Sequence, residues 1–408
     1  MTDTATQPSH VSSSSKKLSR RTFLKRAGAT TVVAVSGGAV YRAASQGVFT
    51  TASGPAYEPW EDWRTNPEQG PLRLVQAGIL ASNPHNTQPW YFEVSEDNIS
   101  VFADMSRHLG TMDPYCREMY TGLGCAIENM VLAGQVAGYN VSVNMEDAVL
   151  DEPAGESLRQ VATLTLEPGE AQTSALYDAI PNRHTDRAPY ADTPVAAEVF
   201  ASLIDLVDDS NTQLFFYTPN QPEFAQLVTA TVSATEFIIA DADMSRDSHA
   251  WFKRNWQEVQ QDKDGVFIDA SGSSALLRAF VKMMPPMPVS TMDNGWLSGT
   301  QASLASTPVL GFIAVRDLYG AAQSLQAGRI WQRMHLWATT QGLSMQPINQ
   351  LPEQVDRERQ LGQPATTAAF LSELTGDETW RPTFVFRLGH TNTNVLPSAR
   401  RPVEDVLI

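Results

Sequence analysis

Two segments 204 positions apart repeat one pattern of small and apolar residues. Gly124, Met130, Leu132 and Gly138 match Gly328, Met334, Leu336 and Gly342. Each segment reads as an amphipathic helix stopped by a glycine and followed by an apolar residue, Tyr139 or Leu343. A repeat this long marks a duplicated domain rather than a solenoid, the alternative being two core helices alike by chance. Duplication constrains the fold strongly: one chain of 408 residues is then built as two related halves, each long enough to bury its own core.

The remaining patterns fit two such halves. Leu72 to Ala81 has helical apolar spacing, and Trp90–Val94 with Ile99–Ala103 read as strands joined by the Glu96-Asp97-Asn98 turn. Asp113-Pro114 is expected to open a long helix running to about Val136, and a second hairpin-like region ends near Leu166. The second half begins with helical patterns at Ala196–Val207 and Pro222–Ala240. A Met/Pro-rich loop then spans Met283 to Met292, followed by a strand at Val309–Val315, a helix at Ala327–Gln341 and a strand at Thr383–Leu388. The mixture predicts an α+β or mixed α/β fold. The expected divisions are 1–46 as a targeting segment, 47–70 as a linker, 71–180 as the first half and 181–408 as the second.

The targeting segment reads Ser19-Arg20-Arg21-Thr22-Phe23-Leu24-Lys25, then a weakly apolar stretch from Ala27 to Tyr41 closed by Arg42. Paired arginines before a short apolar region are the mark of twin-arginine export, and Arg42 leaves that region too short for a stable membrane span. Cleavage is expected between Arg42 and Gln46, and the mature chain is expected outside the cytoplasm, periplasmic or otherwise extracytoplasmic. That route carries folded proteins and is rich in enzymes whose cofactor is inserted beforehand.

Charge narrows the partners. Residues 1–46 hold seven of the 29 Lys/Arg and one of the 45 Asp/Glu, so the formal charge of −16 becomes −22 without them. So acidic a body repels phosphate polyanions, which argues against nucleic acid and anionic membrane as partners. Cys116 and Cys125 are read as lying on one helix, roughly 13 Å apart along its axis, too far for a disulfide. No metal-ligand spacing, nucleophile elbow or Walker loop is present, and Gly122-Leu123-Gly124 lacks the third glycine of a dinucleotide fingerprint.

Three segments carry chemistry. Ser82-Asn83-Pro84-His85-Asn86-Thr87-Gln88-Pro89-Trp90 is a rigid polar loop whose amides suit the edge of a flat heteroaromatic ring; it also reads as a well-capped helix-to-strand turn. In Asn182-Arg183-His184-Thr185-Asp186-Arg187, the residues Arg183, Thr185 and Arg187 alternate and share one side of an extended segment. Two guanidinium forks and a hydroxyl suit a phosphate or a pyrimidine edge, although taken alone they also fit a surface salt-bridge cluster. The tail offers Arg400 and Arg401, which alone read as a solvated terminus.

Together these segments resemble the FMN-dependent nitroreductase family, most closely its fused single-chain, Acg-like branch, over about residues 70–408. The resemblance implies a nitroreductase-like fold whose two halves form a pseudo-dimer, with FMN at their interface. Arg183, Thr185 and Arg187 match the family's R-x-S/T-x-R grip on the flavin. Asn83, Pro84, His85, Asn86 and Gln88 belong to a segment similar to its ring-contacting loop, with Asn86 and Gln88 at the matching amides and Ser82-Asn83 in place of the usual Pro-Ser. Pro347, Ile348 and Asn349 match the loop whose backbone N–H approaches flavin N5, and Arg400, with Arg401 beside it, matches the closing phosphate ligand. The sequence departs from the family in its first half, which has no R-x-S/T-x-R beyond the remnant Arg64-Thr65. In its second half only Asn220-Gln221-Pro222-Glu223 echoes N-x-Q-P-W. One flavin site is therefore implied instead of two, in a monomeric pseudo-dimer. The Met283–Met292 loop, with Trp296, is a candidate lid, although a Met/Pro-rich loop more often is an irregular surface or a dimer contact.

The function implied is an exported oxidoreductase passing electrons from flavin N5 to a small aromatic acceptor, a nitroaromatic, quinone or similar compound. No catalytic side chain is nominated, and the twin-arginine translocon is the partner during export. The competing reading is a non-catalytic protein that binds or sequesters FMN, because NAD(P)H, the family's usual donor, is a cytoplasmic metabolite.

Overall fold

The computed structural model describes residues 1–2, 38–153, 158–391 and 393–408. The arginine pair and the apolar stretch up to Gly37 lie outside the described residues.

Two four-stranded antiparallel sheets are present, one in each half. In the first, β1 (Trp90–Val94), β2 (Asn98–Asp104), β3 (Tyr139–Met145) and β4 (Leu158–Pro168) lie in the order β1-β2-β4-β3. In the second, β5 (Thr212–Tyr217), β6 (Val309–Val315), β7 (Ser344–Pro347) and β8 (Arg381–Gly389) repeat that order as β5-β6-β8-β7. Each sheet has its register shift in the corresponding ladder, at Val101/Phe102 between β2 and β4 and at Ile313/Ala314 between β6 and β8. Together with the helices this makes an α+β architecture.

A long helix joins the second and third strand of each sheet, α1 (Arg117–Val136) in the first half and α2 (Ala321–Thr340) in the second. Both are largely buried, and they cross at the repeat glycines. A β-carbon on Gly124 would stand 2.8 Å from the Leu325 carbonyl carbon, and one on Gly328 would stand 2.7 Å from that of Thr121. The two pairs are related by the same 204-residue offset, so the contact is two-fold symmetric in sequence as well as in space. Glycine allows the backbones to meet here; any side chain would hold them apart. One hydrophobic core runs through the crossing, from Leu74 and Trp90 on one side to Trp331 and Leu388 on the other.

The halves also exchange chain. The C-terminal tail returns to the first half, where Leu407 pairs in parallel with Phe92 and the Ile408 N–H donates to the Phe92 carbonyl. Buried Arg117 reaches from α1 to Asp356 of the helix Gln350–Gln360, its Nη2 2.7 Å from Oδ2, and to Thr383. Around this pair lie Asp113, Glu118 and Glu353. Burial pushes Asp113 up to about 6 and Glu353 up to about 8, against the pull of Arg117. Glu118 is pushed well up by burial and then by Glu353.

Several expected boundaries move. α1 starts at Arg117 because Cys116 adopts φ 58, outside the helix, so the two cysteines do not share it. Asp113 still caps α1, its carboxylate accepting the Glu118 and Met119 N–H groups at 3.1 and 2.9 Å. The Met/Pro loop is shorter than expected: helices at Ala275–Met283 and Val289–Ala305 flank it. The expected linker contains a helix, Glu58–Thr65, with Trp60 and Trp63 buried.

Candidate functional site

The connection from β1 to β2 is three residues long, whereas the matching connection from β5 to β6 runs through 218–308, 91 residues. This insert brings a strap, Lys263 to Gly272, over the loop Ser82–Gln88. The Asn86 side-chain N–H donates to the Gly265 carbonyl at 3.1 Å, and that of Gln88 donates to the Lys263 carbonyl at 2.8 Å. Arg187 Nη1 donates to the Ala270 carbonyl at 3.0 Å. Gly272, at φ 73, lies so close to the Arg187–Ala188 backbone that a side chain would collide there.

Between strap, loop and tail lies a cavity of about 40 Å³, space for an ion or a few waters. Arg183, Thr185 and Arg187 line it together, and so does His184 between them, so strict alternation does not describe this segment. Asn83 and Asn86 come from the loop, and Arg400 from the tail. Trp60, Ser82, Val266, Leu396 and Ser398 complete the wall.

The electrostatics are unusual for so acidic a chain. Arg183 and Arg400 are 2% and 3% exposed, and among the described residues neither they nor Arg187 form a salt bridge with a carboxylate. Arg183 donates to the Leu80 carbonyl at 3.3 Å and meets His335 Nδ1 at 3.4 Å; Arg400 donates to Asn86 Oδ1 and to the Ala81 carbonyl at 3.1 Å. The Nε of each arginine has no partner. Burial lowers the Arg183 guanidinium to about 10 and Arg400 well below its usual range, with Arg183 adding to the second effect. Burial, then Arg183 and Arg400, holds His184 down at about 3. Cations this poorly solvated, with donors unspent, favour an anion between them.

The remaining sequence-nominated residues are placed differently. The amide groups of Asn86 and Gln88 serve the protein itself: Asn86 Nδ2 donates to the Ala399 carbonyl at 2.9 Å, and Gln88 Oε1 accepts the Arg401 N–H at 2.8 Å. They clamp the tail that delivers Arg400. His85, Asn86 and Gln88 all adopt positive φ (46, 56 and 49), a strained loop held by these bonds. His85 turns to Ser248 Oγ at 3.3 Å, and burial lowers it to about 4. Pro84 packs against the face of Gly122. Arg401 lies outside the cavity wall, over the Tyr91 ring at 4.8 Å.

Pro347, Ile348 and Asn349 also lie outside the wall. The Ile348 N–H is spent on the Val385 carbonyl at 2.9 Å, and Asn349 Oδ1 accepts the Val385 N–H at 2.8 Å. That Ile348 N–H is not free to approach a cofactor in this conformation. No residue of Met283–Met292 lines the cavity, and Trp296 packs instead with Leu109, Met112, Ile238 and Met244. Trp60 was missed from sequence; its Nε1–H donates to the Ser398 carbonyl at 2.8 Å, its ring stacks edge-on to His184, and Arg400 lies 4.9 Å from the ring centre.

No family model matches the chain. Over 123 residues it is 32% identical to a Mycobacterium tuberculosis H37Rv protein provisionally named an NAD(P)H nitroreductase, Rv3131, covering 30% of this chain and 34% of that one. It is 28% identical to the acg protein of the same strain, also provisionally named an NAD(P)H nitroreductase, over 29% of this chain and 35% of the relative. The chain thus spans about a third of the length of the curated relatives it matches. Among solved structures it is similar to an FMN-bound nitroreductase from Desulfitobacterium hafniense at 13% identity and TM-score 0.35, over 57% of this chain and 97% of that one. It is also similar to a protein from Anabaena variabilis provisionally named a nitroreductase, at 11% identity and TM-score 0.40, over 72% and 69% of the two chains.

Proposed function

We propose that the chain is an FMN-dependent oxidoreductase of the nitroreductase type, exported by the twin-arginine route, that reduces small aromatic acceptors such as nitroaromatics or quinones. The observation that carries the proposal is the cavity where Arg183, Arg187 and Arg400 converge without a carboxylate and with two Nε donors unspent. A flavin phosphate meets that demand, with Arg183, Arg187, Arg400 and the Thr185 hydroxyl as its ligands. Bound there, FMN supplies the electron transfer, through its N5, while this chain supplies position and charge. His335 and His184, both held neutral by burial, leave the cavity's positive charge on guanidinium groups.

The strap favours a second reading, FMN sequestration without turnover. The strap lines the cavity through Val266 and is bonded to the loop and to Arg187 through its Gly265, Lys263 and Ala270 carbonyls, a cover that would shield a bound flavin from acceptors.

One preparation tests both. The purified chain is expected to retain one FMN per chain, reducible by NADPH or dithionite and reoxidised by a nitroaromatic. Failure to hold flavin even after reconstitution sinks both readings, while a flavin that no acceptor reoxidises leaves sequestration. Arg183→Ala and Arg400→Ala are expected to lose FMN; unchanged retention refutes the phosphate site. Export is tested by fractionating cells that express Arg20→Lys/Arg21→Lys, which should keep the chain in the cytoplasm.

A further inference from the structure

The helix Ala275–Met283 is turned inside out. Its cations face inward, where Lys282 Nζ lies 2.7 Å from buried Asp269 and Arg278 lies 3.7 Å from it. Its large apolar side chains face out: Leu276 is 83% exposed, Leu277 49% and Phe280 60%. The turn and helix that follow add Met284, Met287 and Val289, all exposed. These six fall within residues 276–289, whereas most other exposed large apolar residues stand singly, as surface residues usually do.

A second segment meets this one. Arg42 donates from Nε and Nη2 to the Met283 and Met284 carbonyls, both at 3.2 Å, and Lys282 donates to the Gly47 carbonyl at 2.9 Å. Exposed Val40, Tyr41 and Phe49 are thereby held near the Met283–Met284 turn. No Asp or Glu occurs between Asp269 and Asp293, in a chain with 45 of them, so this segment lacks the charge that makes the rest of the surface repel lipid. The turn, Met284-Pro285-Pro286-Met287-Pro288, is exposed throughout.

We propose that this segment, 275–289, docks the protein onto a lipid bilayer surface, with Leu276, Leu277, Phe280, Met284, Met287 and Val289 entering the headgroup–acyl boundary. Among the described residues no helix is long and apolar enough to cross a membrane, so the contact is interfacial. The insertion is apolar, because Arg278 and Lys282 are already paired inward. Neutral lipid is therefore sufficient, and the acidic surplus, −16 for the full chain and −22 over residues 47–408, makes anionic lipid the poorer surface.

The test is flotation of the full purified chain with phosphatidylcholine vesicles, and with vesicles containing one quarter phosphatidylglycerol, beside the variant Leu276→Asp/Phe280→Asp. These two side chains are exposed, so the variant should keep the wild-type circular dichroism and thermal midpoint. Wild type is expected to float with phosphatidylcholine at low and high salt, and the variant to bind about tenfold more weakly or less. Three results overturn the proposal. Wild type fails to float; the variant floats equally well, so that the N-terminal leader alone carries binding; or without lipid the wild type is a dimer that the variant converts to monomer, so that a second copy covers the face.

Discussion

Replacing Gly328 by alanine places a methyl carbon 2.7 Å from the Thr121 carbonyl carbon and closer still to its oxygen, at the crossing of α1 and α2. Carbon atoms pack at about 3.5–4.0 Å, so the helices must part by roughly 1 Å. Parting strains the bonds between them: the Cys125 thiol donating to the Gly328 carbonyl at 3.2 Å, Gln332 Nε2 donating to Asn129 Oδ1 at 2.8 Å, and Glu128 receiving Arg329 and Arg333. Overpacking of this kind costs about 1–3 kcal/mol, and with backbone as the obstacle the upper end applies, about 3 kcal/mol. At about 2 °C per kcal/mol for a chain this large, the midpoint falls by on the order of 6 °C. Gly124→Ala meets Leu325 in the same way and should cost a similar amount. Because one separation relieves both clashes, the double variant should lose clearly less than the two single losses combined. Thermal unfolding of the three variants reads this directly. Strict additivity, or one variant without effect, would refute the shared two-fold crossing.

Other perturbations test the polar parts. Asn86→Ala removes the clamp on both Gly265 and Ala399 and frees Arg400; at about 1 kcal/mol per lost bond, flavin release should quicken about thirtyfold, followed by flavin fluorescence in stopped flow. Asp356→Ala strands buried Arg117 and should cost about 3–5 kcal/mol, measured by urea unfolding. Glu353, raised to about 8 by burial, binds its proton more tightly in the folded chain than in the unfolded one. Its stabilising contribution is therefore complete below about pH 4.5 and is lost as pH rises toward 8. Glu353→Gln cannot ionise, so urea midpoints should show it gaining on wild type across that window; parallel pH profiles would contradict the buried, protonated carboxyl.

What the sequence disclosed depended on whether the signal was local. The 204-residue repeat located α1 and α2 because a helix crossing leaves its mark in the helices' own glycines. The hairpin of β1 and β2 was legible because its turn is three residues long. β5 was not, since Thr212-Gln213-Leu214-Phe215-Phe216-Tyr217 has neither clean alternation nor a nearby partner, its mate β6 lying beyond the insert. Among the site segments, a common side for Arg183, Thr185 and Arg187 is what alternation predicts; the cavity gathers these three but His184 as well, because the segment belongs to no strand. For Asn86 and Gln88 a donor inventory does not name the acceptors, which are the strap carbonyls of Gly265 and Lys263 and, for Asn86, also the Ala399 carbonyl of the tail. Trp60 had no signal, since a stretch rich in Gly, Pro and Trp reads as loop until its burial is known.

The asymmetry of the halves has a physical basis at the twin of the cavity. The loop Ser82–Pro89 precedes β1, so its counterpart is Asp205–Asn211, which precedes β5, rather than the Asn220-Gln221-Pro222 echo. In the first half Asn83 and Pro84 rest on Gly122, whose missing side chain leaves them room. The equivalent position in α2, 204 residues on, is Gln326, and its amide reaches across to Asp208 Oδ1 at 3.0 Å. Arg333 fills the space further, bonding the Leu206 carbonyl at 2.8 Å, Asp208 at 3.1 Å and Glu128 at 2.7 Å, while Arg329 holds Glu128 at 2.9 Å. These cations are neutralised by carboxylates, whereas Arg183 and Arg400 are left without one. An anion therefore gains from entering the first position and gains nothing at the second. That difference gives a physical reason why an anion site at the first position need not have a counterpart at the second.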